Sequence, residues 1–204
     1  MLSKKEFFIA GICILLAGCM GGAPDVVIDS FEEELNASTV DYGSGEGAQV
    51  TVSASKEFSQ CGNQSLKIEY NLTPSGYMWI ARGYGLDVKG AAAWTVSPQE
   101  VSWKKYNALE VSMYGAGSGA VIAFDVKDAQ GEYWRFLLSD DVKGWKDIVC
   151  PFAHFFPRHD WQPETAQLND IMDFPIMSFQ FEPRLPGKGV YYFDCVKIIH
   201  TQVK

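Results

Sequence analysis

The sequence predicts an all-β domain, a β-sandwich of the jelly-roll kind, and three observations carry that prediction. Short runs of alternating apolar and polar residues follow one another along the chain, the period-two signature of half-buried strands. Turn formers punctuate the runs, with 19 Gly and 9 Pro among 204 residues. No helix-period segment alternates with the strands, so the sheets must bury one face against each other rather than against helices.

Residues 1–18 stand apart from that domain. Met1-Leu2-Ser3-Lys4-Lys5 is followed by an apolar run over 7–16 and then by Leu16-Ala17-Gly18-Cys19. A positive start, a short apolar stretch and small residues before a cut make a secretory signal. The apolar run is too short to cross a bilayer, which takes roughly 18 residues. Leu16-Ala17-Gly18-Cys19 resembles the bacterial lipobox, and the resemblance implies that Cys19 becomes the lipidated first residue. Residues 19–25 are then a Gly-rich tether, 26–204 the folded domain, and the expected address is the outer membrane or cell surface, with the lipid membrane as a partner.

Within the domain, Leu66, Ile68 and Tyr70 alternate with Lys67 and Glu69, and Leu109, Val111 and Met113 with Glu110 and Ser112. Further runs cover 26–31, 77–82, 120–126, 133–138, 145–152, 177–182 and 190–199, so nine or ten strands are expected. Gly43-Ser44-Gly45-Glu46-Gly47-Ala48, Gly115-Ala116-Gly117-Ser118-Gly119 and Asp128-Ala129-Gln130-Gly131 read as turns. Only 167–173 reads as a helical turn. Trp79, Trp103, Trp134 and Trp145 are assigned to the core or its rim, where strand aromatics usually pack. The connection over 157–175 is longer than loops usually run, and it carries Arg158-His159-Asp160-Trp161-Gln162-Pro163. An indole between charged residues on a loop points either to binding or to a plug folded back over the end of the sandwich.

Charge and cysteines bound the chemistry. A formal charge of −8 offers no basic surface for phosphates, so nucleic acid is not a partner, and neutral ligands remain. Beyond Cys19, the cysteines of the domain are Cys61, Cys150 and Cys195. One bridge among them is possible in an exported protein, but burial as free thiols is the expectation, because Cys150 and Cys195 lie in apolar strands. No Gly-x-Ser-x-Gly elbow, His-Glu-x-x-His pair or Gly-Lys-Ser/Thr loop is present. His154, His159 and His200 are read as non-ligands. Glycoside hydrolysis needs two carboxylates across a cleft, so a small hydrolase or lyase using Asp160 with a second acid is the catalytic rival. An assembly or scaffold lipoprotein holding a protein partner is the other.

Several segments together resemble the family 11 carbohydrate-binding modules, galactose-binding-like jelly rolls found on polysaccharide-degrading enzymes. They are Ile28-Asp29-Ser30-Phe31-Glu32, the glycine turn from Gly43, Ser75-Gly76-Tyr77-Met78-Trp79, Trp103-Lys104-Lys105-Tyr106, Gly131-Glu132-Tyr133-Trp134, Gly144-Trp145-Lys146, the segment from Arg158 to Pro163, and Phe193-Asp194-Cys195-Val196. The likeness runs from about 27 to 199. It implies non-catalytic binding of a polysaccharide, a β-glucan, in a cleft across one sheet. Tyr77 and Trp161 are then the rings that stack on sugars, and Arg158 and Asp160 the groups that bond to hydroxyls. Gln130, Tyr133, Tyr42 and Gln180 complete the expected set. Gln130 stands where the family carries an Asp, Tyr42 is shifted by one position from a family Tyr, and Trp161 replaces a Tyr. Glu32 and Asp194 resemble the acidic pair that holds one structural Ca2+ in many jelly rolls, the alternative being that Asp194 simply accepts backbone hydrogen bonds at a sheet edge.

Overall fold

Alternating side chains sort the chain onto two antiparallel sheets whose inner faces make one core. The computed structural model describes residues 23–202, so the signal segment, Cys19 and most of the tether lie outside the described residues. Twelve strands follow in order: β1 Val26–Asp29, β2 Asp41–Gly45, β3 Gln49–Ser55, β4 Ser65–Leu72, β5 Tyr77–Gly83, β6 Ala108–Ala116, β7 Val121–Lys127, β8 Tyr133–Ser139, β9 Lys143–Pro151, β10 Phe156–Pro157, β11 Ser178–Pro183 and β12 Gly187–Ile199. The first sheet has the order β3-β4-β12-β6-β9, with β1 on β12, and the second the order β10-β8-β7-β11-β5-β2.

Inward positions are those the alternation marks. Met78 and Ile80 of β5, Ile122, Phe124 and Val126 of β7, and Phe179 and Phe181 of β11 meet Leu66, Ile68, Val111, Met113 and Phe193 from the first sheet. The Phe181 and Phe193 rings stack at 3.8 Å and 11°, joining the two sheets at the centre. Each such side chain contributes about 1.5–3 kcal/mol by leaving water.

One ion pair also crosses the core. Arg82 of β5, fully buried, donates from Nε to Asp29 Oδ2 at 2.9 Å and from Nη2 to Asp29 Oδ1 at 3.1 Å, with Glu33 and the Thr39 carbonyl as further partners. Burial pushes the Asp29 carboxyl up to about 6 against the pull of Arg82, so it is still ionised at neutral pH. A guanidinium at this depth is tolerable only because its donors are met.

Four expectations change. Twelve strands replace nine or ten, because β2 runs into the expected glycine turn and β3 and β10 fall outside every expected run; the turn itself is confined to Glu46 and Gly47, at φ 53° and 78°, closed by the Ala48 N–H donating to the Gly45 carbonyl at 3.1 Å. No helix forms over 167–173. Short 3-10 turns appear instead at Lys89–Ala92, Pro98–Glu100, Trp103–Lys105 and Phe152–His154. Cys61 and Cys195 are joined in a disulfide, Cα atoms 5.6 Å apart, across 134 residues, while Cys150 is a buried free thiol. Trp103 and Trp134 are buried as expected. Trp145 packs against Tyr114 on the outward face of the first sheet, and Trp79 lies on the outward face of the second.

Candidate functional site

The outward face of the second sheet carries polar and aromatic groups where a strand buried on one side usually shows only solubilising residues. Its register sets Asp41, Ala81, Gln180, Asp125, Arg135 and Phe156 side by side across six strands. The adjacent row is Gly83, Ser178, Lys127 and Tyr133. Small side chains at Ala81, Gly83 and Ser178 leave the middle of the face low.

Arg135 organises the charges. Its Nε and Nη2 donate to the two Asp125 oxygens at 2.7 and 2.8 Å, Nη2 also to Glu182 at 2.6 Å, and Nη1 to Asp160 at 3.3 Å. Arg158 donates to Asp160 at 2.8 Å and reaches Asp125 at 3.3 Å and Glu182 at 3.4 Å. Arg184 donates to Glu182 at 2.6 Å and to Asp160 at 3.3 Å. Three arginines and three acids thus form a closed, charge-balanced cluster. Asp125 and Glu182 are buried within it, and Asp160 is the member most open to solvent.

The long loop is laid onto this face by its own bonds. Gln162 accepts the Tyr133 N–H at 2.8 Å and donates to the carbonyls of Tyr133 and Arg158, both at 2.9 Å. Asp128, at the end of β7, accepts from the N–H groups of Gln130, Glu132 and Asp173 and from the Trp134 indole, tying the far end of the loop to the β7–β8 turn. Within 167–173 the N–H groups of Gln167, Asn169, Ile171 and Asp173 donate to the Gln130 carbonyl and to the side chains of Glu132, Asn169 and Asp128, so these donors are met without a helix.

Trp161 sits where that loop crosses the sheet. Its ring is 52% exposed, edge-on to Tyr133 at 5.6 Å, with the Arg158 guanidinium 5.4 Å from the ring centre. Tyr77 is 51% exposed at the other side of the same face. Arg158, Asp160, Trp161, Tyr133 and Gln180 are therefore brought together, and Tyr77 stands apart at the far end of the same face. Tyr133 and Gln180 are nearly covered and form the floor; burial pushes the Tyr133 phenol up to about 12, so it stays a neutral hydroxyl. Between Trp79 and Tyr133 the face spans three strand spacings by four residues, roughly 20 Å on the diagonal.

Two candidates fall elsewhere. Tyr42 pairs with Ile80 and packs against the core, because a shift of one position reverses a strand residue's face; Gly43 holds the outward position instead. Gln130 is exposed in the β7–β8 turn at the edge of the face, its carbonyl accepting the Gln167 N–H at 3.1 Å. The residues missed were Asp125, Arg135, Glu182 and Arg184. In the sequence Asp125, Arg135 and Glu182 each show only as one charged residue in an apolar strand, and Arg184 follows directly after β11, so the network exists only once the strands are side by side.

Glu32 and Asp194, the acids expected to hold calcium, both serve as hydrogen-bond acceptors at the 60–64 turn. Asp194 Oδ2 accepts the N–H groups of Gln60 and Cys61 at 2.7 and 2.9 Å, and Oδ1 accepts that of Cys195 at 2.8 Å. Glu32 accepts from the Asn63 and Gln64 N–H groups at 2.9 and 3.0 Å and from the Asn63 side chain at 3.1 Å. Both carboxylates meet the positive ends of N–H dipoles, which gives them a structural role in the turn with no ion required. Cys61 and Cys195, the other residues grouped with Asp194, are spent in the disulfide. The acids hold the 60–64 turn that the disulfide also ties.

The family model described as a carbohydrate binding domain, family 11, matches residues 20–201. Endoglucanase H of Acetivibrio thermocellus is 26% identical over 181 residues, 85% of this chain; the chain spans only 18% of that enzyme. The solved family 11 module from Clostridium thermocellum in complex with a β-1,3-1,4-mixed-linked tetrasaccharide superposes with a TM-score of 0.66 at 23% identity, covering 87% of this chain and 96% of that one. The β-1,2-glucanase of Parabacteroides distasonis superposes at 0.55 with 12% identity, covering 86% of this chain and 25% of that one. These structural likenesses support the two-sheet sandwich.

The disulfide and the charge cluster each give an expected outcome. Chelation should leave the melting temperature unchanged, while reduction should remove about 2–4 kcal/mol, roughly 5–15 °C; a melting point raised by calcium would overturn this. For Asp160, partial burial pushes its carboxyl up, but the Arg158 hydrogen bond and the charges of Arg158, Arg135 and Arg184 outweigh it and hold it at about 2. Its folded value lies below its unfolded one, so its contribution is full above about pH 4 and lost as pH falls toward about 2. The gap in melting temperature between wild type and Asp160→Asn should be open at pH 6 and close across that window.

Proposed function

Since the chain belongs to the family 11 carbohydrate-binding domains, a non-catalytic class, we propose that the outward face of its second sheet holds a neutral β-glucan chain and releases it uncut. The observation that carries this reading is Trp161, half exposed on a structured loop, backed by Tyr133 and Arg158, with Tyr77 exposed across the same face. A pyranose presents an apolar C–H face and a rim of hydroxyls, so its site needs flat rings beside polar groups that already have fixed directions. The face supplies both, over a length suited to an oligosaccharide rather than one sugar. A relative solved with a β-1,3-1,4-mixed-linked tetrasaccharide supports that glucan class as the first to test.

Asp160 is unsuited to the general-acid role in the catalytic rival. A carboxyl held at about 2 among three guanidinium groups is never protonated at working pH, so it cannot serve as the acid that frees a leaving sugar. We further assign the domain to the membrane surface through Cys19, supported by the order of residues 1–19 and by a disulfide, which persists in oxidising compartments. An enzyme partner acting on the same glucan suits such an anchored binder.

Affinity electrophoresis of the soluble domain, residues 24–204, through gels cast with mixed-linkage glucan, soluble cellulose derivatives or galactomannan tests the ligand. Mixed-linkage glucan should retard it most, without release of reducing ends, and Trp161→Ala should weaken binding about 2- to 12-fold, one aromatic stack. Unchanged retardation in Trp161→Ala would place the site elsewhere. For the anchor, Cys19→Ser in the full-length protein should move it from the membrane pellet to the soluble fraction, and continued sedimentation would refute lipidation there.

A further inference from the structure

Tyr77 and Trp79 stand two apart on β5, and both project from the outward face of the second sheet. Their rings lie flat across the neighbouring strand because β2 offers glycine opposite each: Gly43 is paired with Trp79 and Gly45 with Tyr77. A Cβ on Gly43 would fall 2.5 Å from indole Cη2 and Cζ2, and one on Gly45 would overlap the Tyr77 ring. The two rings are 6.3 Å apart and 15° from parallel. Trp79 Nε1–H donates to Asp41 Oδ1 at 3.0 Å, while Asp41 Oδ2 accepts the Asp87 N–H at 3.2 Å, so the indole is fixed at its edge as well as beneath.

Aromatic rings laid over edge-strand glycines are a known way to support a weak strand. Support accounts for one ring over each glycine, but not for the exposure of those rings. Here Tyr77 leaves half of its surface in water and Trp79 is only partly buried. Such rigid, flat, partly wet rings lose little freedom when a second apolar face is set on them.

We propose that Trp79, seated on Gly43, joins Tyr77 as a two-ring subsite for two successive pyranose units of an extended β-linked glucan, at the opposite end of the face from Trp161. This rests on the reading of the face as a glucan site, and deepens it: affinity then depends on chain length, because only a longer oligosaccharide reaches both the two-ring platform and Trp161. Trp79 is thus a specificity-determining residue that favours polymer over short fragments.

Titration calorimetry with mixed-linkage or cello-oligosaccharides, from trisaccharide to hexasaccharide, tests it on the soluble domain. Wild type should gain affinity with length. Trp79→Ala should lose about 2- to 12-fold on the hexasaccharide, one ring's stacking, and little on the trisaccharide; Trp79→Phe should recover part of the loss. Gly43→Val keeps the indole but takes its seat, and should show the same length-selective loss. Unaltered length dependence in both Trp79→Ala and Gly43→Val, with wild type still binding, overturns the subsite and leaves the glucan reading standing. An equal loss at every length also overturns it, since a general structural defect acts that way. Failure of wild type to bind any glucan overturns both.

Discussion

Arg135 is the constraint on which the face depends. A guanidinium nearly out of water must have its donors met, and here they are met by Asp125 on the adjacent strand, Glu182 on the strand beyond and Asp160 on the long loop. The bidentate contact with Asp125 fixes the orientation of the fork. That orientation decides where Asp160 can sit, and Arg158, bonded to Asp160 and reaching back to Asp125 and Glu182, closes the loop onto the sheet. The position of Trp161, next residue but two after Arg158, follows from this chain of bonds rather than from packing. Breaking one buried member of such a cluster typically costs about 3–5 kcal/mol, so the loop is held far more firmly than an exposed ion pair could hold it.

The aromatic side of the face is built by the opposite device. Apart from the Asp41 carboxylate at the edge of Trp79, what holds Tyr77 and Trp79 down is the absence of side chains at Gly43 and Gly45, which opens the space that the rings fill. A strand weakened by two glycines regains its contacts from its neighbour, and in return the neighbour's rings are held in one orientation. The sheet therefore carries a charge-locked ring on one side and sterically locked rings on the other, with small residues between.

Much of the fold was legible because burial on one side of a sheet imposes a period of two that survives in the sequence at Leu66, Ile68, Leu109, Val111, Phe179 and Phe181. Strand β2 was not legible, because Gly43 and Gly45 have no polarity with which to alternate, and their role exists only once Trp79 and Tyr77 lie over them. Tyr42 failed for the complementary reason: its type fitted the resemblance, but its parity placed it inward against Ile80. The loop residues Arg158, Asp160 and Trp161 stood out as an odd composition for a connection. Asp125, Arg135 and Glu182 did not, since one charged residue in an apolar run looks like an ordinary solvent-facing position until three such strands are set side by side. The Cys61–Cys195 bridge joins residues 134 apart, and no local pattern encodes that meeting.

Charge balance in the cluster also bears on what the face can hold. The chain as a whole is acidic, with a formal charge of −8, yet the site sets three arginines against three carboxylates within mutual contact. An anionic sugar would have to draw a guanidinium away from Asp125 or Glu182, leaving a buried carboxylate without its partner, and a cationic one would do the converse. A neutral sugar asks for neither exchange. Its hydroxyls can take the outward lone pairs of Asp160 and the free N–H groups of Arg184, the two members most open to solvent, while its C–H face rests on rings already fixed in place. Since those groups are ordered before any ligand arrives, little freedom remains to be lost on binding. On the proposed reading of the face as a glucan site, the network that keeps the loop folded also selects against charge in the ligand, and stability and selectivity derive from one set of ion pairs.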